Sequence, residues 1–389
     1  MASLQNGGRA GFRISWALLA RWAMVGFVMC SYAVLPPHRA SASKLSPQGT
    51  PLEQRISKIY SSWWGKQLLK IAQVGIPNFT EPVHEEITER IYGCQGSIDS
   101  EVCADTGTQR FANWFVIAGV RWNDDPPFRL AEGEARRTKC KVTETIRVTT
   151  QPWCWYQLFR DAQRRAVQGQ LLDARSGASL LARSHYGDLQ FLHSMASKDG
   201  EPAAETKRRI MMWAEFTWRV GQGDYALGTN LKDVKIAAFE EFFGHTDWRV
   251  QDLFTVGNQS LRPGIKDLAF GSLMHMVEDS FPKGHVDRDE ATYGEVCPEA
   301  KEYAAPGRIK SFHSYVHQDA TKHGGYDSRR GFVEEFESDH PNVVDAGQVL
   351  RGYYDRKASW DEVKPYLECV YDLEDPQVPA SAGAGFEAR

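Results

Sequence analysis

Residues 271–288 read GSLMHMVEDSFPKGHVDR and place His275, Asp279 and His285 where together they could hold a metal ion. Leu268, Phe270, Leu273, Met274, Val277 and Phe281 recur at roughly helical spacing, so His275 and Asp279, four apart, project from one face of a helix. Pro282 and Gly284 then end the helix and let the chain turn His285 back toward the same region. Imidazole nitrogen with carboxylate oxygen suits zinc, and a carboxylate can bridge two ions. One histidine–acid pair on a polar helix face is more often a simple hydrogen bond. Three ligand groups around a break, with further clusters elsewhere in the chain, favour metal.

Those further clusters are spread widely. His84, in PVHEEIT, stands at the entrance to a helix whose first turn carries Glu85 and Glu86, and it reads either as a ligand or as a surface residue. A helix over 108–122 ends in WNDDPP, leaving Asp124 and Asp125 at a C-terminus whose dipole opposes acids. A cation would favour them there; a solvated turn is the other reading. A helix over 178–196 contains SHYGD, in which Asp188 could orient the ring of His185. Either His185 or His193, two turns on, reads equally as a packed, hydrogen-bonded residue, and His185 is the better ligand candidate. Residues 309–319 place His313 and His317 four apart, which on a helix can chelate one ion, and Asp319 and His323 add to the density of ligands.

The elements that must carry these groups are mostly helical. Amphipathic spacing predicts helices over 52–73, 154–170, 205–220 and 231–243, and a last helix from Ser359 with Glu362 as its capping-box partner. Residues 132–150 are charged and aperiodic and read as a surface excursion, with a small hairpin over 141–149. Basic Arg9, Arg13 and Arg21, an apolar run over 22–35 and the small residues Ala40-Ser41-Ala42 predict a signal peptide over 1–42, with cleavage after Ala42. The apolar run is too short for a membrane span, so an exported protein is expected, periplasmic or secreted. Removal of Cys30 from the 7 cysteines leaves an even set, which in an exported chain favours disulfides. Proximity pairs Cys94 with Cys103 and Cys140 with Cys154, leaving Cys297 with Cys369. The expected organisation is an all-α, single multi-helix domain over 43–375, with a few irregular or hairpin insertions and a disordered tail over 376–389. At 389 residues, 42% hydrophobic and 25% charged, the chain can bury a large core, and its net charge of -4 argues against a nucleic-acid binder with a basic surface. No stable nucleic-acid partner is expected, and a monomer is. No Gly-rich phosphate loop or Gly-x-Ser-x-Gly elbow is present.

In order and spacing these residues resemble the zinc-dependent phospholipases C and their relatives, the single-strand-specific nucleases, over most of the chain from His84 to His317. The resemblance implies an all-α exported enzyme with a cluster of two or three Zn2+ ions. His84 looks like the family's early histidine, and Asp124 in WND like its Trp-x-Asp ligand, with Asp125 as the other possible register. His185 would share a zinc with Asp124, His275 and Asp279, and Asp279 would bridge to a second ion. His285, His313 and the residue four further on would hold the remaining zinc. That residue is His317, where the family has an acid, so Asp319 is a possible substitute. The family also binds zinc through a mature amino-terminal tryptophan just before the early histidine, whereas cleavage after Ala42 would leave Ser43 at the terminus, far from His84. The implied activity is metal-assisted phosphodiester hydrolysis with Asp124 also as the base. A phospholipase C acting on phosphatidylcholine-like lipids at a phospholipid membrane surface is expected, with loops near Trp63 or Trp122 meeting lipid. A nuclease or 3'-nucleotidase with the same metals is the alternative, and a closed, non-catalytic zinc-stabilised binding protein is a third reading.

Overall fold

The computed structural model describes residues 81–388 apart from 99, 101, 105–110, 131, 133–137, 139, 292–293, 298–303 and 339–340. The expected signal peptide, Cys30 and the helix expected over 52–73 with Trp63 lie outside the described residues.

A helix that is apolar on nearly every side has to be enclosed by others. Residues Ile265–Glu278 form such a helix, buried at every position but Lys266 and Asp267. In chain order the first helix is α1 (Val83–Ile91), followed by α2 (Trp114–Val120). Next come α3 (Pro152–Val167), α4 (Leu180–Tyr186) and a 3-10 turn at Gln190–His193. The long α5 (Ala203–Gln222) and the short α6 (Phe239–Phe243) and α7 (Val250–Thr255) lead to the central helix, α8. After α8 a two-stranded antiparallel sheet pairs β1 (Val286–Arg288) with β2 (Ile309–Phe312). The chain ends in α9 (Ala320–Tyr326), α10 (Arg329–Ser338), α11 (Val343–Asp355) and α12 (Trp360–Val370). The described fold is therefore helix-rich with one small sheet.

The crossing of α2 and α8 is made backbone to backbone. A Cβ on Gly119 would lie 2.2 Å from Leu268 O, and one on Gly271 would lie 2.2 Å from Val116 O. Only glycine permits that approach. On its other sides α8 meets α5, where Trp213 Nε1 donates to Ser272 Oγ at 3.1 Å, and α11, where Gly347 makes room for Ile91 and Met274. A second, smaller apolar cluster joins α3 to α4 through Trp155, Phe159, Leu181 and Tyr186. The capping box expected at Ser359 is formed, with Glu362 Oε2 accepting from the Ser359 amide at 2.7 Å.

Several expectations are corrected. The helix expected over 178–196 breaks at Gly187, where a Cβ would strike Leu172 O at 1.9 Å, and the chain resumes as the 3-10 turn. The helix expected over 231–243 splits into a 3-10 turn, Leu231–Asp233, and α6. Residues 309–319 are not helical: the ladder to β1 takes Ile309–Phe312, and a turn follows. Of the described part of 132–150, residues 145–149 are tied in, since Ile146 bridges Phe128 and Ile146 and Val148 are buried, while residues 141–143 are exposed as expected of a surface excursion. Trp122 is buried and stacks on Trp213 at 5.5 Å, so it offers nothing to lipid. The tail expected to be disordered is docked: Ala203 N donates to Val378 O, Ala380 N to Glu201 O and Ser314 N to Ser381 O, while Ala380, Ala382 and Phe386 are buried. Its alanines and glycines are small enough for the backbone to lie against neighbouring chain and bond to it.

Cys94–Cys103, Cys140–Cys154 and Cys297–Cys369 are disulfides, as expected, which fits an oxidising compartment. Among the described residues no helix is long and apolar enough to cross a membrane.

Candidate metal centre

The glycine crossing brings the end of α2 against the last turns of α8, and an asparagine locks it. Asn123 Nδ2 donates to Leu192 O at 2.6 Å and to Ser272 O at 3.1 Å, and its Oδ1 accepts from Ser272 Oγ at 2.6 Å. Asp124, the next residue, is thereby held inside the protein beside the 3-10 turn that carries His193. Three buried groups that could hold a metal ion result: His84, His275 and Asp279; Asp124, His185 and His193; and His285, His323 and Asp327.

Asp279 joins the three groups. Its Oδ2 lies 2.9 Å from both His275 Nε2 and His193 Nδ1, and its Oδ1 lies 3.3 Å from His84 Nε2 and 3.9 Å from His285 Nε2. In the second group His185 Nε2 and His193 Nδ1 each stand 3.7 Å from Asp124 Oδ1. In the third, Asp327 lies 3.0 Å from His285 Nε2 and 2.8 Å from His323 Nε2.

Four of the histidines are oriented from behind in the same way. Nδ1 of His84 donates to Glu278 Oε2 at 2.8 Å, that of His185 to Leu181 O at 3.1 Å, that of His285 to His193 O at 2.7 Å and that of His323 to Gly284 O at 3.2 Å. An acceptor behind Nδ1 fixes the tautomer and leaves the Nε2 lone pair facing inward, as a metal-binding imidazole requires. Glu278 is itself buried and also accepts from Thr88 Oγ1 at 2.8 Å.

The charges within the site are strongly coupled. Burial alone would push the Asp279 carboxyl up, but His285, His275 and His84 outweigh it and hold it well below the ordinary range. Burial also opposes ionisation of Asp124 and Asp327, yet the surrounding histidines keep both lowered. His285 is lifted to about 9, because Asp279 and Asp327 outweigh the effect of burial, whereas burial dominates at His193 and lowers it to about 4.

Several buried atoms of these groups have no hydrogen-bond partner: both Asp124 oxygens, His185 Nε2, His193 Nε2 and His275 Nδ1. Buried polar atoms without partners are costly, and three ionised carboxylates among imidazole lone pairs form a donor set that cations would satisfy. The residues present therefore fit metal ions.

The structure brings together His84, Asp124, His185, His275, Asp279 and His285 of the residues singled out in the sequence. It does not bring in the other two. His313 is buried but lies on Asp287 Oδ2 at 3.0 Å and Gly284 O at 3.1 Å, and His317 is exposed and paired with Asp199 at 2.6 Å. The cause is that the segment after β2 is a turn and not a helix, so residues four apart do not share a face. Asp319 caps α9, accepting from Thr321 N at 2.8 Å, and Asp125 is committed to Arg147 and the Val148 amide. Asp188 binds Arg183 rather than His185. The sequence left His193 open between a packed residue and a ligand and His323 as added ligand density, and Asp327 was not singled out. One signal was there: His323 and Asp327 repeat the His-x-x-x-Asp spacing of His275 and Asp279. Gly324 and Gly325 hide it, because they weaken any helical reading of that segment.

A cleft opens beside His84, Asp279 and Asp327, walled by Val83, Ile87, Phe281 and Phe332, with Lys283 among its lining residues. Comparison of the chain with protein-family models, with curated proteins and with solved structures finds no match.

Proposed function

We propose that the chain is an exported, zinc-dependent phosphodiester hydrolase, a phospholipase C that cleaves glycerophospholipids to diacylglycerol and a phosphorylated head group. The observation that carries the reading is Asp279, one carboxylate shared by imidazoles from all three ligand groups. A histidine followed four residues later by an acid is also what the resemblance to zinc phospholipases C asks of the last zinc site, and His323 with Asp327 meets it where His313 with His317 did not. Three groups of this kind, held at His84, His275 and Asp279, at Asp124, His185 and His193, and at His285, His323 and Asp327, would each take one ion. Metal bound there would polarise the phosphate and lower the pKa of a bound water.

The chain's own residues supply the rest. Asp124 is kept ionised and both its oxygens are bare, so it can accept a proton from an attacking water. The acceptors behind His84, His185, His285 and His323 hold those rings in place, so that no reorganisation is needed when substrate binds. The apolar walls of the cleft beside Asp279 suit the glyceride part of a lipid. A single-stranded nucleic acid would call for a basic channel, whereas this cleft is lined by one lysine together with Glu278, Glu334 and Glu335.

The test is metal analysis of the purified protein, followed by release of phosphocholine from phosphatidylcholine vesicles with and without a chelator. Two or three zinc ions per chain and chelator-sensitive release are expected. Zinc with cleavage of single-stranded DNA and no lipid release would replace the lipid reading with the nuclease one, and a protein that takes up no metal would end both.

A further inference from the structure

Tyr315 lies between two of the ligand groups and has a buried hydroxyl that the arrangement above does not use. Its ring centroid is 6.5 Å from that of His185 and 6.2 Å from that of His193 on the side of Asp124. Toward Asp327 it is 6.0 Å from His285 and 4.7 Å from His323. The residue follows β2 in the turn that replaced the expected helix, and its amide donates to Gln190 Oε1 at 3.0 Å, which pins it to the same 3-10 turn as His193. The hydroxyl is buried and has no hydrogen-bond partner. A buried O–H left unpaired costs roughly 1–3 kcal/mol, so a site that keeps one has a use for it or a partner still to come.

We infer that the Tyr315 hydroxyl is a hydrogen-bond donor to the phosphate group of the substrate, bound between the Asp124 and Asp327 groups. A phenol brings a single proton, and carboxylates cannot donate, so among Asp124, Asp279 and Asp327 the hydroxyl is a complementary donor for a phosphate oxygen. The inference rests on the metal-dependent phosphodiesterase reading and adds to it a contact with the substrate.

Tyr315→Phe tests it, since phenylalanine keeps the ring that packs on the histidines and removes only the oxygen. Three quantities are measured on the metal-loaded full chain: zinc per chain, the affinity for inorganic phosphate by calorimetry, and kcat and KM on a phosphodiester. The expected result is unchanged zinc and melting temperature, phosphate affinity down about tenfold, and kcat down about 10²-fold, the usual effect of removing one donor to a developing charge. Wild-type phosphate affinity in the variant would overturn the assignment, whether or not the protein hydrolyses lipid, and loss of a zinc would overturn it by making Tyr315 part of the metal site. Wild-type protein that takes up zinc and binds phosphate through Tyr315 but cleaves no phosphodiester would support the inference while removing the catalytic reading. Protein without zinc would overturn both.

Discussion

Both oxygens of Asp279 face imidazoles, and those imidazoles come from α1, the 3-10 turn, α8 and the segment leading into β1. Removing that carboxylate leaves histidines from three groups without their common partner. Asp279→Ala should therefore abolish activity and lower the zinc content by more than one ion, whereas His323→Ala or Asp327→Ala should empty the third group alone. His317→Ala should leave the zinc content as it is, because that side chain is exposed and paired with Asp199. Metal analysis of the four variants checks the set, and loss of zinc in His317→Ala would restore the ligand pairing first read from the sequence. Titration of the metal-free protein gives an independent check. His285, lifted to about 9 from an ordinary value of 6.5, stabilises the fold fully below about pH 6.5, and the contribution is lost as pH rises through about 9. The melting temperature of chelated protein should fall across that window, and His285→Gln should flatten the fall.

At the scale of elements, the site depends on two helices lying closer than side chains allow. Gly271→Ala would put a Cβ 2.2 Å from Val116 O and 2.7 Å from Val120 N, which the backbone can relieve only by moving α2 away from α8. That should cost about 1–3 kcal/mol, the usual range for overpacking, and because Asp124 follows α2 the metal affinity of its group should fall as well. Chemical denaturation together with competition against a chelator would measure both effects. A stable variant with unaltered metal binding would show that the close crossing is not what seats Asp124.

At the scale of the whole molecule, distant parts of the chain are fastened around the centre. Cys297–Cys369 joins the segment between the two strands to α12, linking cysteines 72 positions apart in the chain. On chain-entropy grounds that link is worth about 4 kcal/mol. The terminal segment is a second fastening, bonded to Glu201 beside α5, to Ser314 next to Tyr315, and to Asp319 at the start of α9. Deletion of residues 376–389 should lower the melting temperature and weaken binding at the third group, since α9 carries His323. Calorimetry and zinc content of the truncated protein measure this, and a truncation with unchanged melting and unchanged zinc would show that the segment is only draped on the surface.

The amino-acid sequence by itself determined the helical character, the cysteine pairs closest in the chain, the capping box at Ser359 and the local cluster of His275, Asp279 and His285. These depend on neighbours a few residues apart, and spacing records such relations directly. Tertiary structure alone decided which distant histidines join them. His313 and His317 have the spacing of a helical chelate, but β2 ends at Phe312 and the chain continues as a turn, which seats His313 on Asp287 and leaves His317 exposed on Asp199. His193 could be read as packed or as a ligand until the Asn123 clamp set its turn against α8. His323 and Asp327 became partners of His285 only through contacts across 38 and 42 residues of chain, and those contacts have no local signature.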